Sequence, residues 1–375
     1  MSEKKKDLVL CVVFGLLLAA GFLLCLLLPK ERYSESERRM LSPRPQLSAQ
    51  GVWSGRFMSD FEKYAVDTFP FRDVLRSIKA MTAFRVFLRQ DNNGIYAQEG
   101  FLASMEYPMN EASLSRAAKR FDYIREKYLT DENRIYLSVI PDKNCFLAKE
   151  SGHLSMDYGE FERKMADQAD FAEYVSLSDL LERDDYYKTD THWRQEKITD
   201  VADRLAQAMG TALSADYELC EIEEDFYGVY YGQAALPFMP DRLRFLTGEA
   251  IRGCRVYDWQ NQKQIPVYNT SIFDEPASDG KKPVGMDPYE LFLSGSLSLI
   301  TIENPNARTD KRLVMFRDSF GSSIAPLLVS GYARIDLVDI RYIHPDRLGQ
   351  FIDFEGCDVL FLYSTLVLNH SDTIK

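Results

Sequence analysis

Residues 8–28, LVLCVVFGLLLAAGFLLCLLL, run for twenty-one positions without a charge. As an α-helix rising 1.5 Å per residue, the run is long enough to cross a hydrocarbon layer of about 30 Å. No other feature constrains the chain as much, because everything after it must then lie on one side of a bilayer. Lys4, Lys5 and Lys6 precede the run, and Pro29 and Lys30 follow it. The lysines predict a cytoplasmic N-terminus and an exported body. A cleaved signal peptide has a shorter apolar region that ends in small residues. Here the end reads LLCLLLPK, with no A-x-A site, and Leu24 before Cys25 fits lipoprotein cleavage poorly. Residues 1–30 are therefore expected to be an uncleaved single-pass anchor in the cell membrane, with residues 31–53 as a polar, proline-bearing linker.

The body beyond the anchor holds 41 basic and 55 acidic residues, a net charge of −14. That balance disfavours nucleic acid as a partner, and it disfavours broad adhesion to anionic surfaces. Apolar residues make up 46% of the chain, enough for a large packed core in one big domain or two ordinary ones. Cys145, Cys220, Cys254 and Cys357 are scattered through the body with no C-x-x-C pair, so neither a zinc knuckle nor a redox motif is expected. Disulfides in an exported chain and isolated buried cysteines both remain open.

From Ser54 to about Gln90 the pattern is helical with a break near Pro70. Phe57, Phe61 and Tyr64 fall at helical spacing and are expected in the core. NNGIYAQEGFLAS (92–104) reads as a hairpin. Helices are expected over 111–129, about 158–168 and 194–210, and strands at RIYLSVIP (134–141) and AEYVSL (172–177). Residues 211–285, rich in tyrosine, glycine and short alternating runs, read as a β-rich insertion. Then RLVMF (312–316), SSIAPLLVSG (322–331), RIDLVDI (334–340), PDRLGQFIDF (345–354) and CDVLFLYS (357–364) alternate as strand, helix, strand, helix, strand. The alternation predicts an α/β fold with a parallel sheet and right-handed crossovers.

Ligands in such sheets bind beyond the carboxyl ends of the strands. RDSFGSS follows the strand LVMF and opens a helix, so Ser319 falls on a strand-to-helix turn near free backbone N–H groups. A plain helix cap by Asp318, Ser319 or Ser322 is the competing reading. A serine becomes a nucleophile when a histidine, held by a carboxylate, takes its proton. The stretch YYKTDTHWRQE (186–196) supplies Asp190 and His192 on one polar loop. An ordinary polar loop is the alternative there. Zinc binding by D-x-H is weaker, since His153, His344 and His370 lie far off in sequence. No metal or cofactor is expected.

These residues also resemble a known family. YYKTDTHW is similar to the YYKTDHHW signature of DHHW proteins, with Thr191 at the first histidine. DPYELFLSGSLSLITIENPNA (287–307) and RDSFGSSIAPLL (317–328) resemble two further blocks of that family, and VDTFPFRD, NNGIYAQEGFL and VIPDK resemble its N-terminal blocks. The family is related to the alginate O-acetylation proteins AlgJ and AlgX, with their SGNH hydrolase-like domain. The resemblance implies such a domain over residues 54–375. It implies Ser319 as nucleophile, His192 as general base and then acid, and Asp190 as its orienting carboxylate, in the permuted order Asp, His, Ser. It further implies an oxyanion hole from Gly295 and the Ser319 N–H, with Ser296 where relatives carry an amide. Arg317, Tyr187 and Trp193 stand where they could meet the substrate, although for Arg317 a structural ion pair is the favoured reading. The tyrosines of DFYGVYYG (225–232) could offer faces to sugar rings, although core packing is the favoured reading for them. The implied activity is O-acetyl transfer to a cell-envelope or exported polysaccharide, with a multispanning membrane O-acyltransferase as acetyl donor. An acetylesterase using the same residues, or a non-catalytic scaffold or glycan-binding protein, is the alternative.

Overall fold

The computed structural model describes residues 3–375 except 35, 38, 215 and 275–286. The last ten or so residues of the expected β-rich insertion thus lie outside the described residues. The chain divides into two compact units, one of residues 1–92 with 235–237, the other of 93–234 with 238–375.

The first unit opens with the helix Glu3–Leu27, which is long and apolar enough to cross a membrane. Two short strands, β1 (Tyr33–Ser34) and β2 (Arg39–Met40), pair antiparallel. The helices Arg56–Asp67 and Arg72–Arg85 follow, broken at Pro70 as the sequence predicts. Residues of the expected linker are folded onto this helix pair by charge. Arg39 grips both carboxylate oxygens of Asp67 at 2.6 and 2.9 Å, and the Ser42 N–H and hydroxyl donate to the same carboxylate. The Arg39 guanidinium holds the Asp67 carboxyl well below the usual carboxylate range. Glu37 receives Arg72 and Arg76 in the same way. Phe57, Phe61 and Tyr64 are not core, which corrects the expectation. They stack on one another along the helix, and Phe61 stays 47% exposed because no described layer covers that face within the unit.

The second unit begins with the hairpin β3 (Ile95–Gln98) and β4 (Phe101–Ser104). Its main sheet has eight strands: β5 (Arg134–Ile140), β6 (Glu173–Tyr174), β9 (Arg255–Asp258), β10 (Lys263–Ile265), β11 (Leu299–Glu303), β12 (Arg312–Arg317), β13 (Arg334–Val338) and β14 (Asp358–Ser364). β7 (Glu218–Phe226) and β8 (Asp241–Thr247) form a separate antiparallel ribbon. The order across the sheet is β10-β9-β11-β13-β12-β14-β5-β6, parallel from β13 to β6 and antiparallel from β10 to β13. Part of the region read as an insertion, β9 and β10, therefore extends the main sheet, while β7 and β8 stand apart from it.

The parallel strands are continuous apolar runs because both of their faces are covered. Along β12, Leu313 and Met315 join one core with Leu205 of the helix Thr199–Ala208 and Ile324 of the helix Gly321–Leu328. Val314 and Phe316 join the other core with Phe121 of the helix Glu111–Tyr128 and Phe161 of the helix Tyr158–Gln168. A one-residue slip would exchange the two sets, so register is strongly held here. β12 pairs with β13 on one side and β14 on the other, which leaves its carboxyl end at the middle of the parallel part of the sheet.

Candidate active site

Ser319 lies on the turn between β12 and the helix Gly321–Leu328. The preceding Asp318 does not cap that helix with a free carboxylate. Its Oδ2 accepts from the Ser364 N–H and hydroxyl at 2.8 and 2.6 Å, and its Oδ1 from the Phe320 N–H at 3.0 Å. The end of β12 is thereby pinned to the end of β14, which fixes the backbone that presents Ser319. The Gly321 and Ser322 N–H groups turn back to the carbonyls of Asp318 and Ser319. Among the described residues, the Ser319 N–H has no acceptor.

The loop 186–193 is closed by a bridge between Tyr186 and Trp193 and by a bond from the Tyr187 N–H to the His192 carbonyl. Three buried groups hold it from below. Asp241 accepts from the Lys188 and Thr189 N–H groups and from the Thr189 hydroxyl. The Lys143 ammonium donates to the carbonyls of Tyr187 (2.8 Å) and Lys188 (3.3 Å), with burial pushing its pKa down to about 7. Gly228 closes the third side. A Cβ there would come within 2.3 Å of Asp190, so only glycine lets this segment approach, and it delivers the Val229 N–H to Asp190 Oδ2 at 2.8 Å.

On this support a hydrogen-bonded chain forms. Asp190 Oδ1 lies 2.5 Å from His192 Nδ1, and His192 Nε2 lies 2.7 Å from Ser319 Oγ. Asp190 and His192 are both buried. The imidazole lies flat on the Tyr289 ring, with centroids 3.7 Å apart at 7°, and Phe320 tilts against it. The Tyr289 hydroxyl in turn donates to Ser323 Oγ. A carboxylate bonded to one imidazole nitrogen and a serine hydroxyl bonded to the other is the arrangement by which a serine proton can pass to a base as the oxygen attacks.

A cleft of about 370 Å³ opens over Ser319 and His192, lined also by Asp287, Glu290, Gly295 and Ser322. The Glu290 carboxyl is pushed up to about 7, by burial first and by the neighbouring Asp287 second. Gly295 reaches the cleft in a left-handed turn (φ 89°), and a Cβ on it would come within 2.8 Å of Glu290 Cγ.

Three assignments change, those of Gly295, Tyr187 and Trp193, while Arg317 takes its ion-pair reading. The Gly295 N–H donates to the Phe292 carbonyl at 3.1 Å, so it does not point free into the cleft as an oxyanion donor. Tyr187 and Trp193 are fully buried and cannot stack on a substrate. The Tyr187 ring meets Phe226 and Tyr289, and the Trp193 indole donates to Ser323 Oγ, so both aromatics anchor the loop into the core. Arg317 is fully buried with Asp339 at 3.9 Å, inside the sheet rather than in the cleft. Of the tyrosines in DFYGVYYG, Tyr230 is buried, whereas Tyr227 is 37% exposed and tilts against Tyr231. Sequence reading missed Tyr289 and Glu290, although both stand in the DPYELF stretch, and missed Ser322 except as a cap. Ser322 Oγ is buried at the edge of the cleft that holds Ser319, and among the described residues it has no hydrogen-bond partner.

No protein-family model matches the sequence, and neither does any curated protein. Solved structures do. A DHHW family protein from Eubacterium siraeum is 19% identical with a TM-score of 0.60, over 76% of this chain and 95% of its own. PatB1 of Bacillus cereus, in a structure with a sulfonyl adduct, is 18% identical with a TM-score of 0.56, over 75% and 97%. The O-acetyltransferase domain of Pseudomonas putida AlgJ stands at 13% and 0.42, over 74% and 92%. The chain thus carries a mixed α/β fold similar to that of the Eubacterium siraeum DHHW family protein and of PatB1.

Proposed function

We propose that the protein is a membrane-anchored, extracytoplasmic O-acetyltransferase that modifies a cell-envelope or exported polysaccharide through an acetyl-serine intermediate. The observation that carries this reading is the hydrogen-bonded chain from Asp190 through His192 to Ser319 at the floor of an open cleft. His192 Nε2 takes the Ser319 proton as Oγ attacks the donor's acetyl carbonyl, and Asp190 holds the imidazole tautomer and stabilises the imidazolium. The Ser319 N–H and the unpartnered Ser322 hydroxyl are the donors nearest to hand for the tetrahedral oxyanion. His192 then returns the proton to the leaving group. In the second half a sugar hydroxyl gives its proton to His192 and attacks the acetyl-serine carbonyl, which restores Ser319. If water takes that place, the same residues make an acetylesterase.

The body faces away from the cytoplasm, and the acetyl donor is a multispanning membrane O-acyltransferase that carries the acetyl group across. The helix Glu3–Leu27 supports the anchor. A sulfonyl fluoride tests the nucleophile, since it traps an activated hydroxyl and PatB1 is described with a sulfonyl adduct. Intact-mass analysis is expected to find one sulfonyl group, on Ser319, and one transient acetyl group from an aryl acetate. Both should be absent in Ser319→Ala. Labelling elsewhere, or none in folded protein, would move the reading to a scaffold or glycan-binding protein. Product analysis with an oligosaccharide acceptor separates transferase from esterase.

A further inference from the structure

The net charge of −12 conceals a division of the chain. Residues 30–92 hold 12 basic and 8 acidic residues, whereas residues 93–375 hold 30 basic and 47 acidic. The locally cationic stretch comes directly after the apolar helix, and it also carries a large exposed apolar face. Met58, Phe61, Val66, Phe69 and Leu75 are 45–63% exposed and line one concave surface between the helices Arg56–Asp67 and Arg72–Arg85. Arg72, Arg76, Lys79 and Glu62 border the same surface, with both arginines paired to Glu37. Just before it stands Trp53, 95% exposed.

The position of this face identifies its occupant. The turn between the two helices shares a cavity with Leu28, the last residue of the apolar run, and with Pro29 after it. Lys30 Nζ donates to Thr68 Oγ1 at 3.2 Å and lies 4.7 Å from the Tyr64 ring centroid. The turn of the helix pair therefore sits beside the end of the apolar helix. At 1.5 Å per residue its members are about 18 and 21 Å long, too short to span but suited to lie flat. An apolar face bordered by arginine and lysine, with an exposed tryptophan beside it, has the chemistry of the headgroup–acyl boundary.

We propose that the helix pair Arg56–Arg85 lies on the bilayer crossed by the anchor, with Phe61 and its neighbours seated at the headgroup–acyl boundary of the leaflet on the body's side. This rests on the anchor reading given above.

The test uses the full chain in vesicles of phosphatidylethanolamine and phosphatidylglycerol, with or without acyl-brominated lipid. The chain has three tryptophans, and Trp193 is fully buried in the globular unit. Against a Trp53→Phe background, Phe61→Trp reports on the face. Brominated lipid is expected to quench that reporter at least twofold beyond the background. Adding Val66→Glu and Leu75→Glu should abolish the extra quenching while leaving sulfonyl labelling of Ser319 intact. An unquenched reporter with blue emission would mean that protein covers the face. Unquenched red emission would mean open solvent. Either overturns the inference. Carbonate extraction of the same vesicles keeps the two readings apart. A carbonate-resistant but unquenched chain sinks this inference alone, and a chain released by carbonate sinks the anchor as well.

Discussion

The helix Glu111–Tyr128 turns Leu114, Ala117, Phe121 and Ile124 into a closed core, each with no exposed surface. The helix Arg56–Asp67 carries an apolar stripe at the same spacing and leaves Phe61 and Val66 about half exposed. The repeat of 3.6 residues states that a helix has an apolar side. It does not state what lies against that side. In the globular unit the cover is the sheet, with Phe361 and Tyr363 of β14 stacked on Phe121. In the unit that holds the apolar helix no such layer exists among the described residues. One region holds fixed groups around a cleft, and the other carries its apolar surface outward beside an apolar span.

If chemistry belongs to the first region and placement to the second, substitutions should divide along the same line. The largest effect is expected at Ser319. Ser319→Ala should lower turnover of an acetyl ester at least about 10³-fold, with the thermal midpoint held within about 2 °C. Turnover that survives this change would break the assignment of chemistry to this site. Asp190→Asn is expected to cost about 10² to 10⁴ in rate, because the amide no longer holds the required tautomer of His192. Folding should be unchanged by circular dichroism.

The contrast in burial can be tested directly. Phe121→Ala removes a ring from a closed core and should cost about 3–5 kcal/mol in denaturant unfolding followed by the buried Trp193. Phe61→Ala should cost about 0.5 kcal/mol or less. Equal costs would mean that Phe61 is covered within its own unit after all. The smallest effect concerns Glu290. Its carboxyl binds a proton more tightly in the fold, with a pKa of about 7 against the ordinary 4.5. The folded state therefore keeps a proton that the unfolded chain gives up between these values, and stability falls as pH rises from about 4.5 to about 7. Glu290→Gln should flatten that part of the profile of thermal midpoint against pH. An identical slope in both proteins would show that Glu290 does not titrate there.

Much of this molecule was legible from neighbouring residues alone. The apolar run, the break at Pro70, the hairpin around Glu99–Gly100 and the C-terminal strands all follow from patterns within a few positions, which is the range over which backbone propensity and periodicity act. Asp190, His192 and Ser319 were readable as candidates because such chemistry needs those residue types on loops and strand ends. Their meeting was not readable, since 127 residues separate His192 from Ser319 and only the pairing of β12 with β14 and the buried support under the loop bring them within 2.7 Å. The same long-range packing sent Tyr187, Trp193 and Arg317 inward, occupied the Gly295 N–H and laid Tyr289 under the imidazole. Sequence by itself determined which elements form and which side of each is apolar, because those properties are local. Tertiary structure alone decided which apolar sides are covered and which polar groups face one another, because burial belongs to the surface that arrives from elsewhere in the chain.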